Sequence, residues 1–134
     1  MKVVFDTNIY VSAFLLPGGQ ADSALMRVAE GTDRLIISKA IVDELLDVLS
    51  RKFAKDADEL ARVAVFLADL ADIVRPRGRI DVLQDESDNR ILECAKTGRA
   101  HAIVTGDKAM LRLRRFGEIR IISLQQYLEG NESA

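Results

Sequence analysis

Apolar residues fall along this chain in two alternating rhythms, short unbroken runs and longer stretches with helical spacing. Lys2-Val3-Val4-Phe5 is a short run that stops at Asp6, and a helical stretch from about Ile9 to Leu15 follows it. Pro17-Gly18-Gly19 breaks the chain. From Ala21 to Glu30, Ala24, Leu25, Val28 and Ala29 recur at helix spacing, and Gly31 closes the pattern. Leu35-Ile36-Ile37 reads as a second buried strand, with Ser38 as an N-cap for what comes next. That helix runs from about Lys39 to Phe53, with Ile41, Leu45, Val48, Leu49 and Phe53 on one face. A further amphipathic helix spans about Ala57 to Ala71.

Ile73-Val74 is a brief strand candidate, and Arg75 to Arg79 reads as a basic loop. Ser87 to Thr97 is a helix closed by Gly98; the run from His101 to Thr105 is a strand. Lys108 to Leu113 is a short helix, Arg120-Ile121-Ile122 a strand, and Leu124 to Leu128 a last helix. Strands that are continuous apolar runs, each followed by helix, predict a parallel α/β sheet covered on both faces. Right-handed crossovers then put the carboxyl ends of all strands along one edge, where open α/β sheets place their ligands.

That edge collects acids. Asp6 follows the first strand and Asp107 the strand ending at Thr105; Asp88 lies in the first turn of the helix opening near Asp85. Glu44 sits about one and a half turns into its helix, starting from the same edge. Their convergence requires the first and fourth strands to be near neighbours. Each acid also has a plain reading. Asp6, Asp107 and the Asp85-Glu86-Ser87-Asp88 segment occupy positions where carboxylates cap helices, a contribution of about 1 kcal/mol each. Glu44 stands at the margin of its helix's apolar stripe, while Asp43 and Asp47 face further out, so it needs either an Arg partner or another cation. Gathered in one cleft, four carboxylates repel and raise one another's pKa values. A hard divalent cation removes that cost, and an all-oxygen set suits magnesium or manganese. Such a site can activate water against a phosphodiester.

Composition narrows the alternatives. A chain of 134 residues, 49% hydrophobic and 30% charged, has the size and make-up of one folded domain, here a core of about residues 2–129 with a short C-terminal tail. A formal net charge of -2 argues against a nucleic-acid coat protein, without excluding an enzyme whose acids hold metal. The single Cys94 leaves no internal disulfide or multi-thiolate zinc site and reads as core filler. Neither a signal-peptide core nor a membrane-spanning run is present, so a cytoplasmic location is expected. No GxxxxGK[ST] segment offers a P-loop, and His101, at the start of a strand, reads as structural. Lys108 and Arg112, on the helix that starts at Asp107, are candidates for gripping the phosphates of a substrate at that edge. Phe14, Leu15 and Leu16 beside the Pro17 turn are either core or an exposed patch for a partner.

The motifs Asp6-Thr7-Asn8, Glu44 on a mid-chain helix, Asp85-x-x-Asp88-Asn89 and Thr105-Gly106-Asp107, in that order, resemble the PIN-domain ribonucleases. Within them the likeness is to the VapC-type toxins of bacterial and archaeal toxin–antitoxin systems, and it runs from Val3 to about Leu128. The resemblance implies a single PIN-like domain with a five-stranded parallel sheet flanked by helices. It makes Asp6, Glu44, Asp88 and Asp107 the metal-binding and catalytic acids, with Asn8, Thr105 and Asp85 supporting them. It implies at least one Mg2+ (or Mn2+) ion, an RNA substrate, a cognate antitoxin and a homodimer or higher homo-oligomer. Ser87 stands where family members often carry a further acid, which bears on a second metal. The competing readings are an RNA-processing PIN nuclease with no toxin role and a non-catalytic α/β binding module whose acids only cap helices.

Overall fold

A computed structural model describes residues 1–130; the last part of the expected C-terminal tail, 131–134, lies outside the described residues. In chain order the elements are β1 (Lys2–Phe5), α1 (Thr7–Leu15), α2 (Gln20–Ala29), β2 (Arg34–Ser38), α3 (Lys39–Phe53), α4 (Ala57–Leu70) and β3 (Asp72–Val74). They continue as α5 (Glu86–Thr97), β4 (Ala102–Val104), α6 (Lys108–Leu113), β5 (Arg115–Phe116), β6 (Ile119–Ile122) and α7 (Leu124–Leu128). The sheet order is β3-β2-β1-β4-β6-β5.

Five of these strands are mutually parallel, as the apolar runs predict, but the sheet has six. The addition is β5, a two-residue strand antiparallel to β6. It arises from a tight reversal at Gly117, whose φ of 61° suits a residue without Cβ. The requirement placed on the topology is met: β1 pairs directly with β4, Val3 opposite Ala102 and Phe5 opposite Val104. The chain leaves β1 toward β2 and β3 and then returns to β4 and β6, so the switch point falls between β1 and β4.

The inner strands β1, β2, β4 and β6 are buried because both faces are covered, whereas the edge strand β3 leaves Ile73 exposed. Val3, Val4, Phe5, Leu35, Ile36, Ile37, Ala102, Ile103 and Val104 are all within the core. α1 packs on α2 and α3, and α3 on α4, while α5 lies against β1 and β2. Right-handed connections put α1 to α4 on one face and α5 on the other. Gly98 ends α5 against β2; a Cβ there would overlap Ile36 Cγ2, so the close approach needs glycine. Cys94 is buried and free, and burial pushes its thiol up to about 12, consistent with packing rather than reactivity.

Candidate active site

Asp6 directly follows β1 and caps α1, its Oδ1 accepting from the backbone N–H of Asn8 at 3.3 Å. Its Oδ2 accepts from the Thr105 hydroxyl at 2.6 Å, a bond that spans the β1–β4 switch point. Thr105, fully buried at the end of β4, also accepts from the backbone N–H of Asp107 at 3.0 Å. One hydroxyl thus fixes an acid from each side of the switch. Asp107 in turn caps α6, accepting from Met110 N–H at 3.0 Å. Of Asn8, only the backbone N–H takes part; its side chain is exposed.

Glu44 and Asp88 are carried by α3 and α5, two helices that are in contact with each other. Glu44 is half-buried and makes no ion pair among the described residues. Its neighbours Asp43 and Asp47, by contrast, are exposed and paired with Lys39 and Arg51. Asp85 caps α5, accepting from Ser87 N–H at 2.9 Å. Asp88 caps nothing. It is 4% exposed, and its Oδ2 is buried with no hydrogen-bond partner. A buried carboxylate oxygen left unbonded is costly unless the group is neutral or meets a cation.

The electrostatics tie these groups together. Burial, then the charges of Asp107, Asp85, Asp6 and Glu44, push Asp88 up to about 7. Asp6 is raised by burial, which the Thr105 and Asn8 bonds oppose and the charges of Asp107 and Asp85 reinforce. Glu44 is raised by burial; the Ser87 hydroxyl opposes this, Asp6 and Asp85 add to it, and Thr7 opposes it again. Thr7 Oγ1 is nevertheless buried without a formed hydrogen bond, so it faces Glu44 at longer range. The structure therefore brings Asp6, Glu44, Asp88, Asp107 and Asp85 within reach of one another's charge. It also sets the hydroxyls of Thr7 and Ser87 beside Glu44, a role that the sequence motifs containing them do not specify. Lys108 and Arg112 are exposed on α6 next to Asp107. His101 lies at the opposite edge, where its Nδ1 accepts from Lys2 N–H at 2.9 Å.

The donor set is all oxygen, and one of its oxygens is buried and unsatisfied, which fits a hard divalent cation. Among the described residues, no three His, Cys, Asp or Glu side chains are arranged to hold an ion as they stand. The acids are gathered but not closed around a single point.

Comparisons with known proteins agree with this architecture. A family model of the PIN domain matches residues 2–109. The chain is 29% identical over 118 residues to an uncharacterised protein of Methanocaldococcus jannaschii, MJ1680, across 85% of this chain and 76% of that protein. VapBC2 from Rickettsia felis, solved bound to a DNA fragment from its promoter, contains a chain of the same fold: TM-score 0.65, 18% identity, 92% of this chain and 98% of that one. VapBC-1 from nontypeable Haemophilus influenzae gives a TM-score of 0.66 at 16% identity, over 93% of this chain and 99% of that one. At such identities the likeness is one of fold.

Proposed function

Because this chain belongs to the PIN-domain family, we propose that it is a metal-dependent endoribonuclease, the toxin of a toxin–antitoxin pair, acting as one domain. What most supports the reading is Asp88: a buried carboxylate that caps no helix, has an unbonded oxygen, and feels four other carboxylates from distant segments. Helix capping accounts for Asp6, Asp85 and Asp107 taken singly, and a binding module would need no more than that. It leaves Asp88 and Glu44 without a purpose.

In this reading Asp6, Glu44, Asp88 and Asp107 hold Mg2+ or Mn2+, at least one ion, once the side chains draw closer than they stand. The ion would supply Lewis acidity and offset the charge that builds on the phosphodiester during in-line displacement. The chain's own part is placement. Thr105 locks Asp6 and the start of α6 into one unit, and Asp107 keeps one oxygen on its cap while the other is left for the site. Glu44, half-buried beside the Thr7 and Ser87 hydroxyls, is held by no ion pair among the described residues. Lys108 and Arg112 would meet RNA phosphates on the α6 side.

The partners follow the same logic. α1, α3 and α4 border an apolar groove of about 250 Å³ that includes Phe14, Leu60, Val63 and Phe66. Phe14 stands edge-on to Phe66, 5.9 Å between ring centres, and Leu16 and Val65 are more than 60% exposed nearby in the chain. Such a surface suits an antitoxin or a second copy in a homo-oligomer. Among the described residues no helix is long and apolar enough to cross a membrane, and we place the protein in the cytoplasm.

The test is RNA cleavage by the purified protein with magnesium, manganese or EDTA, on wild type and Asp6→Asn in parallel. Cleavage is expected only with metal and only with Asp6 intact; full activity in EDTA would overturn the mechanism. Toxicity on expression, relieved by the product of a neighbouring gene, separates a toxin from an RNA-processing nuclease.

A further inference from the structure

Three guanidinium groups on the loop after β3 have no ion-pair partner among the described residues. Arg75, Arg77 and Arg79 are exposed and, among the described residues, make no ion pair. Other cations close by are engaged: Lys39 with Asp43, Arg51 with Asp47, and Arg90 with Glu86 and Glu93. The three lie along a groove of about 540 Å³ whose other walls include Lys39, Arg90 and Glu93. Glu93 does not neutralise them, because its carboxylate accepts from Ile80 N–H at 2.8 Å and pairs with Arg90 at 2.9 Å.

The groove's place in the fold matters more than its charge. Ser38 ends β2, Val74 ends β3, the two are paired, and both border the groove. It therefore lies on the carboxyl edge of the sheet, the edge that carries Asp6 at the end of β1. From β1 to β3 is two strand spacings, roughly 10 Å. A nucleic-acid strand with one phosphodiester at the carboxylates thus reaches the groove within a few nucleotides. The acids repel every phosphate not held at the reaction centre, so a strand can cross them only if cations hold it on the flanks. Lys108 and Arg112 supply one flank, beyond β4. On the other side the three arginines, with planar forks suited to phosphate oxygens, stand ready.

Resting on the nuclease reading above, we infer that the groove lined by Arg75, Arg77 and Arg79 is the main binding track for the substrate's backbone. It holds phosphates of a single RNA strand that runs from the acid pocket across the ends of β2 and β3. Recognition there is of backbone charge, because the groove offers guanidinium groups and no aromatic ring on which bases could stack.

The test measures binding of a short labelled single-stranded RNA in EDTA, by fluorescence anisotropy across a salt series. Wild type is compared with Arg75→Gln/Arg77→Gln/Arg79→Gln and with Lys96→Gln/Arg99→Gln/Arg120→Gln, which removes the same charge at the opposite edge. For single strands each lost phosphate contact lowers the slope of log affinity against log salt by about 0.7, so the groove variant should lose about 2. The opposite-edge variant should keep the wild-type slope. Metal-supported cleavage should show a raised KM in the groove variant, with kcat little changed, and thermal unfolding should show both variants folded. Equal slopes in wild type and groove variant, or an equal loss in both variants, would overturn the groove while leaving the nuclease reading intact. A wild type that neither binds nor cleaves RNA would overturn both.

Discussion

Thr105 shows how much one side chain can decide. Its hydroxyl donates to Asp6 Oδ2 at 2.6 Å and accepts from Asp107 N–H at 3.0 Å, with no exposure to water. Thr105→Val keeps the shape and removes both bonds, leaving a buried carboxylate oxygen and a backbone N–H without partners. The cost to stability should be about 1–3 kcal/mol. Activity should fall further than that loss of folded protein can explain, by about 10- to 100-fold, as when a group that orients a metal-binding acid is removed. Thr105→Ser retains the hydroxyl and should recover most of the activity. Steady-state cleavage rates of the two variants, with urea unfolding alongside, check this; a fully active Thr105→Val protein would mean that Asp6 needs no such support. Asn8 makes the complementary point, since only its backbone reaches Asp6 and Asn8→Ala should be nearly neutral.

At the scale of elements, the helices whose ends are marked by caps were the most legible. Ser38, Asp107 and Ser123 start α3, α6 and α7 where their side chains accept the first free N–H groups, and apolar periodicity sets the rest. α1 begins at Thr7, ahead of the first apolar residue, because its start is set by the Asp6 cap rather than by burial. β5 was not legible at all: two residues carry no period, and the strand exists only because Gly117 turns the chain back on β6. The site divided in the same way. Acids at strand ends and helix starts could be read from position, but that the hydroxyls of Thr7 and Ser87 turn to Glu44 follows only from the packing of α1 and α5 around it. The role of Asn89, a residue of the Asp85-x-x-Asp88-Asn89 motif, was equally hidden, since its partners are backbone groups. Fully buried on α5, it accepts from Val82 and Leu83 N–H at 3.1 and 2.9 Å and donates to Leu83 C=O at 2.8 Å. It clasps the end of the loop that leads into Asp85. Asn89→Ala should destabilise the fold by about 1–3 kcal/mol and speed hydrogen exchange at Val82 and Leu83 before other amides. Unchanged exchange there would show that the loop is held by something else.

Across the whole molecule, a net charge of -2 conceals two opposed electrostatic centres. Near the amino ends of β1 and β2, Asp33 is buried, which alone would raise its pKa. The Met1 ammonium at 2.8 Å, the Tyr127 hydroxyl at 2.6 Å and the Arg27 charge outweigh burial and hold it below the usual range. That centre therefore stabilises the fold above the unfolded carboxylate's pKa, and the stability is lost as pH falls through the lower folded value. At the carboxyl edge the sign is reversed. Asp88 rises from 3.8 to about 7, with Asp6 and Glu44 raised beside it. Between 3.8 and about 7 the folded protein keeps a proton at Asp88 that the unfolded chain has released, so stability falls as pH climbs and the loss is complete above about 7. Without metal, the stability of the protein should thus peak on the acid side of neutrality, with Asp33 governing the acid limb and the site acids the alkaline limb. A cation that binds the ionised carboxylates adds stability by mass action, most where protons no longer compete for them. Magnesium should therefore lift the alkaline limb and leave the acid limb alone. Asp88→Asn should flatten the alkaline limb in EDTA, raising stability at about pH 8, while it abolishes cleavage and blunts the response to magnesium. Urea unfolding of both proteins from about pH 2 to about pH 8, with EDTA and with magnesium, covers both limbs at once. If metal-free wild type gained stability steadily through that range, the carboxylates would not be burdening one another, and the electrostatic case for a cation at this edge would fail.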